Sequence, residues 1–130
     1  MDFYIKEDGV RTSFEYGQLN ISGDETNGFR PYQLMVASIA GCSIGVFRKI
    51  LDKQRIDYED IKVTAEITRN PDEANRIEKI QLHFVIKGYH LNQDKLVKNL
   101  EISSKNCSMV QSVKDSIQVE ETLECLELTK

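Results

Sequence analysis

An α+β domain, with strands at both ends of the chain around a long central helix, is what this sequence predicts, and three patterns predict it. Two runs alternate apolar and polar residues: Ile61, Val63, Ala65 and Ile67, then Ile80, Leu82, Phe84 and Ile86. Period two marks strands with one buried face. Between Pro31 and Lys53 the pattern changes to apolar residues on nearly every helical face. Short strand-like segments open and close the chain. The length of 130 residues fits one domain over residues 1–130, with room for a sizeable core.

The elements follow in order. Phe3 to Lys6 and Val10 to Phe14 read as a hairpin, with Glu7-Asp8-Gly9 as its turn. Gln18 to Ser22 forms a third short strand, and polar Ser22 to Gly28 a surface loop. Pro31 suits the first turn of a helix, where its missing N–H is no loss. That helix carries Leu34, Met35, Val36, Ile39, Phe47 and Leu51, and a helix apolar all round is expected to be buried. It is expected to be too short for a membrane span.

Ile61 to Thr68 and Ile77 to Ile86 make an antiparallel pair, turned through Asn70 to Asn75 and closed by Gly88. Leu91 to Ser103 spaces an amphipathic helix through Leu96, Val97 and Leu100. Ser104-Lys105-Asn106 is expected to interrupt it before a shorter helix that starts near Cys107. Val119 to Leu128 ends the chain as a strand, with Val119, Glu121, Leu123 and Cys125 on one face.

Composition excludes several function classes. Apolar content of 40% and charged content of 29% describe an ordinary globular chain. A net charge of −4, with Lys and Arg scattered, argues against a nucleic-acid surface. Met1 leads directly into a strand-like segment without the pattern of a signal peptide, so a cytoplasmic protein is expected. Three cysteines, an odd number, suit a reducing compartment.

Few residues can carry chemistry. Cys42 lies among small neighbours, Ala40-Gly41-Cys42-Ser43, and is either a filler of the core or a thiol kept in a dry pocket. Cys107, at an expected helix start, is placed where thiolate is favoured. A reactive thiol with a second one nearby can close a reversible disulfide. Cys125 reads as a packing residue. His83 and His90 read as surface residues, and no zinc-ligand spacing, phosphate loop or nucleophile elbow is present. The acidic stretches Asp57 to Asp60 and Glu120 to Glu127 read as solvated faces.

Pro31 to Ser43 resembles the signature of the OsmC/Ohr family, in which Pro, a Leu and small residues precede Gly-Cys or Ala-Cys. Cys42 stands eleven residues after Pro31, the spacing of that signature. Asn106 to Val110 is similar to the family's second motif, in which Pro usually follows Cys. The resemblance runs from Phe29 to about Val119, and is closest to the small OsmC-like proteins.

It implies an OsmC-like fold: antiparallel sheets wrapped around long central helices, in an intertwined homodimer with thiols at the subunit interface. It implies that Cys42 attacks an organic hydroperoxide and that Cys107 resolves the product as a disulfide. A dithiol of lipoyl or thioredoxin type would then reduce that disulfide, with no cofactor, metal, nucleic acid or membrane involved. In the hydroperoxide-reducing members a glutamate directly after the Pro holds an activating arginine. Here that position is Tyr32, followed by Gln33, and Arg11 and Arg30 are the nearest candidates for the cation. Without a cation, a thiol in an apolar helix is expected to have a raised pKa. The competing expectation is a non-catalytic dimer of this fold, binding a small apolar ligand or answering to redox state, with its cysteines as packing residues.

Overall fold

The computed structural model describes residues 1–129, and the chain forms two compact units, Met1–Ala37 and Ser38–Lys130. In the first, β1 (Tyr4–Lys6), β2 (Gly9–Ser13) and β3 (Gln18–Ile21) make an antiparallel sheet in that order. Lys6 pairs with Gly9, so the loop is Glu7-Asp8, and Gly9 belongs to the strand rather than to the turn. Its φ of 136° is open to glycine, and a Cβ there would collide with the Ile21 carbonyl oxygen. After β3, Asp24 accepts from the Thr26 N–H at 3.0 Å, and Phe29 returns to pair with Asn20 and Ser22.

Helix α1 (Pro31–Lys53) begins in the first unit and runs into the second. Val36, Ile39, Ser43, Phe47 and Leu51 form its buried stripe at three- and four-residue spacing. Ala37, Gly41 and Gly45 are exposed on another face, and nothing lies within 4 Å of a Cβ built on either glycine. The expectation of all-round burial is therefore corrected: this chain covers one side of its apolar helix. At 23 residues, α1 is also long and apolar enough to cross a membrane by length and composition, against the expectation that it is too short. Its middle is instead tied by hydrogen bonds to protein groups in the second unit, as described below.

That unit carries β4 (Asp60–Asn70), β5 (Arg76–Gly88) and β6 (Gln118–Glu127) in the order β4-β5-β6. β4 and β5 are antiparallel, with Val63 opposite Phe84; β6 runs parallel to β5, with Phe84 opposite Leu123. A parallel neighbour needs a crossover. Helices α2 (Gln93–Asn106) and α3 (Ser108–Val113) supply it. Asn92 caps α2, its side chain accepting from the Lys95 N–H at 3.1 Å. The helix runs through Asn106, and the expected break at residues 104–106 is the single residue Cys107, which ends α2 and caps α3.

Ile80, Leu82, Phe84 and Ile86 of β5 are all buried, as are Leu96 and Leu100 of α2 and Phe47 and Leu51 of α1. Phe47 meets Phe84 edge to face at 5.4 Å between ring centres. The side chain of Gln93 clasps β6, donating to the Leu123 carbonyl at 2.8 Å and accepting from the Cys125 N–H at 3.0 Å. Both groups would otherwise be unpaired on an edge strand.

Candidate functional site: a paired thiol centre

The site is built where the middle of α1 meets the junction of α2 and α3. Ser43 is fully buried because it lies on the core stripe of α1, and its hydroxyl donates to Glu121 Oε2 at 2.9 Å. Buried Ser103, four residues before Cys107, donates to the Ser43 carbonyl at 3.1 Å. These bonds fix the turn of α1 that carries Cys42 against the end of α2 that leads into Cys107. The two sequence-predicted thiols are thereby brought together, and both are free cysteines.

Their environments differ in sign. Cys42 is half-buried, and four donors converge on its sulfur: the Met109 N–H, the Cys107 thiol, and the hydroxyl and N–H of Ser108. The Met109 N–H contributes most, and together the donors hold the Cys42 pKa below the ordinary thiol value of 9.0 against a contrary push from burial. The expectation of a raised pKa is corrected. Hydrogen bonds stabilise the thiolate in place of a cation. Both helical N–H groups are free to do so because the first turn of a helix has no carbonyl partners for them.

Cys107 is fully buried, and burial pushes its thiol above 9.0, with the Cys42 charge pushing the same way. Its place at the helix start was expected to favour thiolate. Burial outweighs the Val110 N–H that pulls it down. The arrangement thus separates an ionisable thiol from a protonated one that donates to it.

The remaining candidates lie elsewhere. Cys125 is half-buried on β6, its thiol raised by burial and then by Glu127. His83 lies on the outer face of the sheet, bonded to Thr122 Oγ1 at 2.6 Å and Glu124 Oε1 at 3.0 Å. His90 is an exposed loop residue with φ of 57°. In the first unit, the Arg11 guanidinium lies over the Tyr4 ring and that of Arg30 over the Tyr32 ring. No cluster of metal-ligating side chains occurs among the described residues.

Sequence reasoning missed Glu121, which the acidic composition of β6 placed on a solvated face. Burial raises its carboxyl above 4.5, outweighing the Ser43 hydroxyl and the weaker pull of the Ser104 hydroxyl. Its Oε1 is buried and makes no hydrogen bond of good geometry among the described residues. The signal was the period of two that aligns Glu121 with Leu123. Ser108 and Met109 were also missed as donors to Cys42, for nothing local predicts a contact 66 residues away.

The fold and its paired thiols define an OsmC-like domain. Residues 23–122 match the model of the family described as OsmC-like protein, and this chain belongs to that family. No functionally curated protein matches it. A hypothetical protein from Aquifex aeolicus VF5 has a similar structure, with a TM-score of 0.87 at 22% identity over 98% of this chain and 96% of that one. An OsmC-like protein from Mycoplasma pneumoniae gives 0.83 at 14% identity, over 96% and 94% of the two chains. An organic hydroperoxide resistance protein OsmC from Legionella pneumophila gives 0.74 at 18% identity, over 95% and 93%. At these identities the likeness is one of fold.

Proposed function

We propose that this protein is a cysteine-based peroxidase that reduces organic hydroperoxides in oxidative-stress defence, as a homodimer in the reducing setting of the cytoplasm. The observation that carries this reading is that the turn of α1 bearing Cys42 meets the Cys107–Ser108 junction, with the Cys42 sulfur 3.7 Å from Ser108 Oγ. Hydrogen bonds there lower the Cys42 pKa, while burial raises that of Cys107. Family membership and the likeness to hydroperoxide resistance proteins support it further.

The chemistry runs in three steps. The Cys42 thiolate attacks the distal oxygen of the hydroperoxide, the O–O bond breaks, and the alkoxide takes a proton and leaves as alcohol. Cys42 is then a sulfenic acid, two electrons more oxidised. Cys107 attacks that sulfur with loss of water, closing the Cys42–Cys107 disulfide. A dithiol reductant, lipoyl or thioredoxin in type, restores both thiols and is itself oxidised to a disulfide.

Dimerisation is supported by what a single chain leaves uncovered. Most of its large exposed apolar side chains lie in the first unit, among them Phe3, Tyr4, Ile5, Phe14, Tyr16 and Phe29. Large apolar side chains left exposed and concentrated in one unit favour an interaction face there.

The test is consumption of cumene hydroperoxide by the purified protein with a lipoyl or a thioredoxin reductant. The wild type turns over, and Cys42→Ser abolishes turnover. A wild type inert with both reductants overturns the proposal and leaves the non-catalytic dimer.

A further inference from the structure

The Met109 N–H contributes most to holding the Cys42 pKa down, and Ser108 adds a side-chain donor and a backbone donor beside it. Ser108 follows Cys107 directly and is the first residue of α3. Its Oγ lies 3.7 Å from the Cys42 sulfur. At this distance either atom can donate while Cys42 is a thiol. Once Cys42 has lost its proton, the hydroxyl alone has one to give, so the contact strengthens on ionisation.

We propose that Ser108 is a catalytic residue of this centre, its hydroxyl donating to the Cys42 thiolate and raising the fraction of Cys42 that is ionised near neutral pH. The proposal rests on the peroxidase reading for its purpose and on the Ser108–Cys42 contact for its substance. The backbone N–H of Ser108 acts on the same sulfur, and both effects lower its pKa. One residue thus supplies two donors where an alanine would supply one and a proline none.

Position makes the substitutions clean. Ser108 is exposed, so replacing it leaves the core intact. Cys107 has φ of −83° and ψ of 112°, an extended conformation that a residue preceding proline adopts readily. Proline is at home at the first position of a helix. Ser108→Pro therefore removes the hydroxyl and the N–H together while the backbone keeps its course.

The experiment is the rate of Cys42 alkylation by iodoacetamide against pH, resolved from Cys107 and Cys125 by peptide mass spectrometry. It compares the wild type, Ser108→Ala, Ser108→Pro and Ser108→Thr. The Cys42 pKa is expected to rise in Ser108→Ala, to rise further in Ser108→Pro, and to return toward the wild-type value in Ser108→Thr.

A lower pKa also makes a thiolate intrinsically less nucleophilic, with a Brønsted slope near 0.4–0.5, so the rate profiles must cross. For a shift of about one unit, Ser108→Ala reacts roughly threefold more slowly below both pKa values and roughly threefold faster above them. General loosening of the site would speed alkylation at every pH and give no crossing. Superimposable profiles, or a shift that threonine does not restore, would overturn the proposal. A wild type that consumes no hydroperoxide, yet shows the crossing, would overturn the peroxidase reading and leave the role of Ser108 in ionising Cys42 intact.

Discussion

Ser43, the residue after the Cys42 thiol, donates its hydroxyl hydrogen to Glu121 Oε2 at 2.9 Å. This bond joins the middle of α1 to β6 beneath the thiol centre. Ser43→Ala leaves the buried carboxylate without its bond of good geometry, and leaving a buried acceptor unsatisfied costs about 1–3 kcal/mol. Chemical denaturation is expected to show a loss in that range. Hydroperoxide-driven disulfide formation is expected to slow as well, because the turn carrying Cys42 loses a tether. Unchanged stability would show that the bond is replaced by solvent in the folded protein.

Glu121 gives the protein a pH dependence of definite sign. Burial raises its folded-state pKa above 4.5, so the folded chain holds this proton more tightly than the unfolded chain. The contribution to stability is greatest below the unfolded value and is lost as pH rises from there through the raised folded value. The thermal stability of the wild type relative to Glu121→Gln is expected to fall as pH rises from the ordinary carboxylate range through the raised folded-state value of Glu121. A difference that stays flat across this interval would contradict the raised pKa.

Much of this arrangement was legible in the sequence. Cys42 and Cys107 stood out by their neighbours and helix positions, while their pairing was implied only by the resemblance to the OsmC/Ohr family. The alternation of β4 and β5 gave both the faces and the pairing of these strands. Glu121 was half legible: period two put it in line with Leu123, while the acidic residues around it suggested solvent. The donors to Cys42 were hidden, because Ser108 and Met109 reach it through tertiary packing and the α2–α3 break falls at Cys107 alone. The open face of α1 was hidden for another reason. An apolar helix announces that it must be covered, not which chain covers it.

That open face leads to a prediction about assembly. Light scattering of the purified protein is expected to give the mass of two chains. Gly41→Glu and Gly45→Glu, which place charge where no atom of the described residues outside the local helix backbone lies within 4 Å of the Cβ, are expected to shift the protein toward monomer. A wild type with the mass of one chain would contradict the homodimer, and a dimer untouched by both substitutions would place its interface away from this face of α1.

The core sets the scale for any loss of activity through misfolding. Phe84 is fully buried in β5, with its ring edge to face against Phe47. Phe84→Ala is expected to cost about 3–5 kcal/mol. Denaturant titration checks this, and a loss below about 1 kcal/mol would mean that the core repacks around the gap.

Intact-mass and peptide analysis after one equivalent of cumene hydroperoxide tests the central claim most directly. The account predicts a loss of about 2 Da per chain, with the peptides of Cys42 and Cys107 joined and Cys125 still free. In Cys107→Ser it predicts a gain of about 16 Da on Cys42, trapped as the sulfenic acid. An unchanged mass at Cys42 and Cys107, or a disulfide that uses Cys125 instead, would contradict it.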